Sequence, residues 1–188
     1  MRDILRMQMR ARTTALLVVD VQEKLASVMR EEDRKKTVEN ARILIRGMQA
    51  LDVPTMLTEQ YPAGLGPTVG ELRASLSEAV FPIEKTEFDC TAVEGFSENL
   101  PSGTRSVVLC GMEAHICILQ TAVGLLRGGY DVWVAGDAVC YRDPANKALA
   151  LRAMEEAGVF VVPTESVLFW LLGKSGSTAF KEISRLIK

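Results

Sequence analysis

The 188-residue chain contains one histidine, His115, and four cysteines (Cys90, Cys110, Cys117 and Cys140) with no CxxC spacing among them. A protein-bound zinc ion needs three or four Cys, His or carboxylate ligands, and no such cluster is readable, so no metal is expected. No run reaches the ~18 consecutive apolar residues of a membrane helix. Acidic residues (24) slightly outnumber basic ones (22), and this balance lacks the basic footprint of a nucleic-acid-binding domain. The segment DVQEKL (20–25), which follows the first apolar run, has no glycine, which removes the dinucleotide fingerprint. GLGPTVG (64–70) lacks the GK[ST] ending of a phosphate-binding loop and reads as a turn that starts a helix. The Arg-bearing opening, MRDILRMQMRART, has its apolar residues interrupted every few positions and so lacks a secretory h-region.

What is present describes an ordinary globular chain. Hydrophobic residues make up 48% and charged residues 24%, close to the average for soluble domains. The length suits one domain, expected over 14–188 behind an N-terminal segment 1–13. Free thiols without a secretory signal point to a reducing, cytoplasmic setting. Import into an organelle stays open, because Arg-rich openings also occur in transit peptides.

Short apolar runs alternate with helical patterns. ALLVVD (15–20), VPTMLT (53–58), SVVLCG (106–111), DVWVAG (131–136) and VFVV (159–162) read as strands buried on both faces, with AVFPI (79–83) a weaker, proline-bearing candidate. Between them, residues 37–50 carry a helical apolar stripe, and Thr68 is placed to cap a helix bearing Val69, Leu72 and Leu76. Asp143-Pro144 reads as an N-cap followed by proline at the first helical position, and two more helices are expected at 164–172 and 178–187. This alternation predicts an α/β fold: a three-layer αβα sandwich around a Rossmann-like, mostly parallel sheet of about six strands. Such sheets bind ligands beyond the carboxyl ends of their strands.

Those ends are unusually polar. The first strand ends at Asp20, the second at Glu59 and the fifth at Asp137, while Lys85 follows the short third run. After the fourth comes Gly111 to Cys117, leading into an apolar-periodic helix. Cys117 is therefore expected in a first helical turn, where unpaired N–H groups favour a thiolate. Each residue also has a plain reading: Cys117 as a small core hydrophobe, Asp20 as a helix cap, Lys85 as a solvated charge. Asp137 and Arg142 are expected either to pair across the loop after the fifth strand or to remain surface charges. His115, two residues before Cys117, does not face it on a helix and is assigned to packing or to lining a pocket.

Three segments resemble the isochorismatase-like cysteine hydrolases: LLVVDVQEKL (16–25), EKTEFDC (84–90) and GMEAHICILQTAVGLL (111–126). TEQYPAGLGPTV (58–69) is most similar to the isochorismatase-domain-containing branch. The resemblance implies a catalytic triad of Asp20, Lys85 and Cys117, an oxyanion hole from the backbone N–H groups of Glu113 and Cys117, and a cis peptide at Met112–Glu113. It implies hydrolysis of a small amide or carbamoyl-type substrate through a thioester, without a cofactor. Gln22, Glu59, Tyr61, His115 and Asp137 are candidates for the substrate pocket. A homo-oligomer is expected, with no membrane or nucleic-acid partner. The metal ligands of the nicotinamidase branch have no counterpart in Glu59-Gln60-Tyr61-Pro62. Two alternatives stand beside this reading: hydrolysis of another bond, such as the vinyl ether of isochorismate, and a catalytically idle binding protein on the same fold.

Overall fold

The computed structural model describes residues 9–188. Most of the expected N-terminal segment 1–13 therefore lies outside the described residues. Six strands carry the fold: β1 (Thr14–Val19), β2 (Thr55–Gln60), β3 (Pro82–Lys85), β4 (Ser106–Gly111), β5 (Asp131–Val139) and β6 (Phe160–Val162). They form one sheet in the order β3-β2-β1-β4-β5-β6, and every pairing is parallel. The helices that join them are α1 (Glu23–Ser27), α2 (Glu31–Ala50), α3 (Pro62–Leu65), α4 (Gly70–Arg73), α5 (Phe96–Asn99), α6 (Leu119–Arg127), α7 (Pro144–Ala157), α8 (Thr164–Leu172) and α9 (Thr178–Leu186).

The period-2 alternation of a strand explains the three layers. Leu16 and Val18 of β1 and Val108 and Cys110 of β4 face one core, which α2 completes with Val38, Ala41, Leu44, Ile45 and Met48. Ala15, Leu17, Val19, Val107 and Leu109 face the other, against Ile118, Ala122 and Leu125 of the α6 region and Ala150 and Met154 of α7. Every residue of β1 and β4 is buried, as expected of strands covered on both sides. From β1 the chain runs outward to β2 and β3, then returns to lay β4 against the other side of β1. The sheet's direction of growth reverses between β1 and β4, and folds of this kind bind ligands beyond the carboxyl strand ends at such a switch point.

The element boundaries move for local reasons. β2 starts two residues later than expected, because the Val53 N–H still bonds to the Met48 carbonyl at the end of α2. It then runs on to Gln60, held by β3 through Glu59↔Glu84 and Gln60↔Lys85. β3 is displaced to Pro82–Lys85, where the proline opens an edge strand. α2 begins six residues before its apolar stripe: Glu31, Glu32 and Asp33 occupy its first turn, where acids suit the helix dipole. Thr68 does not cap α4, whose N-cap is Val69; its hydroxyl donates to Glu59 instead. The Asp143-Pro144 start of α7 forms as read, with Asp143 accepting from the Ala145 N–H at 2.8 Å. α8 spans the residues expected.

Gly111 sits where β4 pairs with Val19 of β1, at φ +127°. A Cβ there would collide with the Val19 carbonyl oxygen. Gly111→Ala is therefore expected to cost about 2–5 kcal/mol, combining a disfavoured φ with overpacking between central strands. Chemical unfolding measures this, and an unchanged midpoint would mean that the β1–β4 pair spreads to admit a methyl group.

Candidate active site

Asp20 is the first residue beyond β1. Its φ of +52° breaks the strand's alternation, and its backbone N–H still reaches the Thr58 carbonyl of β2 at 3.2 Å. The carboxylate is fully buried. Lys85, the last residue of β3, approaches from the sheet edge, its side chain also fully buried, and its Nζ lies 2.7 Å from Asp20 Oδ2. The same ammonium donates to Gln60 Oε1 at 2.6 Å and to the Glu87 carbonyl at 3.0 Å. These three oxygens use all three of its protons. Cys117 Sγ, 3.9 Å from Nζ, is thus left with no more than a long, weak contact to the ammonium.

Cys117 does not open a regular α-helix. It lies in a wide π-turn, Ala114–Ile118, that feeds α6 and is closed by the Ile118 N–H bonding to the Glu113 carbonyl at 3.2 Å. The Met112–Glu113 peptide that precedes the turn is cis. The turn is also tied to the loop after β5, where the Ala114 N–H donates to the Cys140 carbonyl at 2.9 Å. The nearly buried Glu113 carboxylate accepts from Arg142 Nε at 2.9 and 3.1 Å.

The electrostatics correct one expectation. Burial first, and the Asp20 charge second, push the Cys117 thiol far above its ordinary range, with Lys85 opposing them. The resting group is a protonated thiol beside a carboxylate, because the loss of water outweighs the stabilisation expected from a helix start. Burial also works against the Lys85 ammonium, yet the Asp20 charge prevails and holds it above the usual lysine value. Burial raises Cys90 to about 11 and Cys110 to about 12.

The remaining candidates separate. Tyr61 and Lys85 line a cavity of about 490 Å³ whose wall also includes Glu84, Glu87 and Glu94. Gln22 is consumed in tying the 60–66 loop: its amide donates to the Gln60 and Gly66 carbonyls and accepts from the Gln60 N–H. Glu59 accepts from the Thr68 N–H and hydroxyl, both at 2.6 Å. Asp137 accepts from the Thr164 N–H and hydroxyl at the start of α8, so it does not pair with Arg142, whose partner is Glu113. His115 is half-buried, and its Nδ1 is shielded with no hydrogen-bond partner among the described residues. Among the described residues no group of three His, Cys, Asp or Glu side chains is arranged to hold a metal ion, and no helix is long and apolar enough to cross a membrane.

Four contacts escaped the sequence reading: Thr58 on Asp20, Gln60 on Lys85, Cys90 on Thr58, and Arg142 on Glu113. The first two had a signal. Thr58 and Gln60 are polar residues two apart at the end of β2 and share one strand face.

Residues 14–166 match the Isochorismatase domain model. The chain belongs to the isochorismatase-like hydrolase family. It is 39% identical over 177 residues to the isochorismatase domain-containing protein 2 of Bos taurus, covering 94% of this chain and 83% of that one. It superposes on the MAR1 ribonuclease of Caenorhabditis elegans with a TM-score of 0.90 and 36% identity, over 96% of this chain and 92% of that one. An octameric hydrolase of unknown specificity from Escherichia coli, YcaC, shares the fold at a TM-score of 0.82 and 25% identity, over 89% and 83% of the two chains.

Within this family fold, the buried Asp20–Lys85 pair is expected to act as a stability element. Lys85→Met leaves a buried carboxylate without its cation and is expected to cost about 3–5 kcal/mol at pH 7. Because the folded-state pKa of Lys85 is raised, its contribution is complete below the unfolded value of 10.5 and is lost as pH rises through the folded value. Unfolding of both proteins from pH 7 to 11.5 should show the gap between them narrowing only above about 10.5. A gap that closes at neutral pH would mean that the ion pair does not hold the two strand ends together.

Proposed function

We propose that the protein is a cysteine hydrolase that cleaves a small amide or carbamoyl-type substrate through a thioester, using Asp20, Lys85 and Cys117. The observation that carries this reading is the buried ion pair of Asp20 and Lys85 with the Cys117 sulfur 3.9 Å from the same ammonium. Asp20 accepts the thiol proton as sulfur attacks the substrate carbonyl carbon, then returns that proton to the leaving amine. Water adds to the thioester, its proton passing through Asp20 back to sulfur as the C–S bond breaks. Lys85 stays charged throughout and offsets each anion as it forms. The backbone N–H groups of Glu113 and Cys117 are the proposed donors to the oxyanion.

The cavity charge favours this chemistry over the alternatives. Glu84, Glu87 and Glu94 line it beside Lys85, whose charge Asp20 already neutralises; among the described residues none of the three glutamates is in an ion pair, and Lys85 is the triad member that reaches this wall. Isochorismate, with two carboxylates, and RNA, with a phosphate at every residue, would both be repelled there. A small neutral or cationic molecule suits it better. The octameric relative supports assembly of this chain into a homo-oligomer in the same way.

Mass spectrometry of the protein incubated with an amide panel should trap an acyl group on Cys117, with release of ammonia or an amine. Asp20→Asn, which keeps the shape and removes the proton acceptor, should lower kcat by about 10²–10⁴-fold. Release of pyruvate from isochorismate or cleavage of RNA, each abolished in Cys117→Ala, would replace this reading with another. Full turnover in Asp20→Asn with only a lowered melting temperature would return Asp20 to a structural role.

A further inference from the structure

We infer that Thr58 is a positioning residue for Asp20, forming with Cys90 a buried, one-directional hydrogen-bond chain that sets how readily the carboxylate takes a proton. The inference rests on the proposed role of Asp20 as the proton acceptor.

The chain's direction follows from chemistry. An ionised carboxylate only accepts, so the Thr58 hydroxyl, 2.7 Å from Asp20 Oδ1, must be the donor. With that proton spent, the hydroxyl oxygen can only accept from its other neighbour, and the Cys90 thiol points to it at 3.9 Å. The order is therefore Cys90 S–H to Thr58 O–H to Asp20. All three residues are fully buried, so no water competes for any link. Cys90 is itself anchored, its N–H donating to Thr121 Oγ1 at 3.0 Å, one turn beyond Cys117 on α6.

Strand geometry puts Thr58 in this position. Residue 58 pairs with Val19 across the β1–β2 ladder, and its carbonyl receives the Asp20 N–H. Met56, on the same face of β2, lies in the core that contains Cys90 and Cys117. Thr58 therefore holds residue 20 twice, by backbone and by side chain. Its donation occupies Oδ1 and Lys85 occupies Oδ2, which fixes the carboxylate plane. The titratable groups that face Asp20 are Lys85 from β3, Cys117 from the π-turn and Cys90 from the 86–90 segment. Of these only Lys85 carries a charge at neutral pH, and the Thr58 hydroxyl adds a neutral donor. Removing it weakens stabilisation of the anion while leaving the local charge unchanged.

The test reads Cys117 alone and needs no substrate. Alkylation by iodoacetamide is followed from pH 4 to 9 with peptide mapping, alongside the melting temperature. In the native protein the rate should fall on an acid limb that depends on the residue 20 carboxylate, and Asp20→Asn should lack that limb. Thr58→Val, close in shape, should move the limb up by about one pH unit. Thr58→Ser should restore it. Cys90→Ala should shift it the same way by less, and it serves as the test if Thr58→Val does not fold. Unshifted limbs with only a lowered melting temperature would overturn the inference and leave Thr58 a satisfied core hydroxyl. A native profile identical to that of Asp20→Asn would overturn the role of Asp20 along with it.

Discussion

A carboxylate and an ammonium buried together at 2.7 Å are the constraint around which the rest of the site is arranged. Desolvating either charge alone costs several kcal/mol, so the fold must deliver both to one point with every remaining lone pair and proton satisfied. It does so with two strands from one side of the switch point and one turn from the other. β1 supplies Asp20, the sheet edge supplies Lys85, and the turn after β4 brings the thiol. Gln60, Thr58 and the Glu87 carbonyl complete the hydrogen bonding. Satisfied in this way, the pair orders three strand ends that are far apart in sequence.

That arrangement also explains why Cys117 rests as a thiol. A site dry enough to make the Asp20–Lys85 pair strong is too dry to hold a third, unpaired charge. In the proposed mechanism, proton transfer to the adjacent carboxylate avoids creating one, since the thiolate would form only as Asp20 is neutralised. A second ion pair, from exposed Arg142 to buried Glu113, ties the Cys117 turn to the loop after β5. The turn is therefore held from both the β1 and the β5 sides of the sheet. The wall of the adjoining cavity is acidic, with Glu84, Glu87 and Glu94 along it.

Much of the fold was readable because burial on both faces leaves a strong trace. The continuous apolar runs of β1 and β4, the stripe on α2 and the Asp143-Pro144 start of α7 each follow from local rules. The readings that moved depended on neighbours. β2 runs to Gln60 because β3 pairs with it there, and Thr68 gives its hydroxyl to Glu59 rather than to a helix. Asp137 and Arg142, close in sequence, found separate partners, because the strand directs one toward α8 and the loop directs the other toward the π-turn.

By itself the sequence determined the layer architecture, the family, and the residue types at the strand ends, since hydrophobic period and motif order are properties of the chain alone. Only the tertiary structure decided which polar residues share a dry volume. Asp20, Thr58, Lys85, Cys90 and Cys117 span nearly a hundred positions, and their contacts arise from strand order and register. The protonation of Cys117 was decided there as well. A helix-start rule counts nearby backbone groups, whereas the thiol responds to the loss of water and to a carboxylate carried in by another strand.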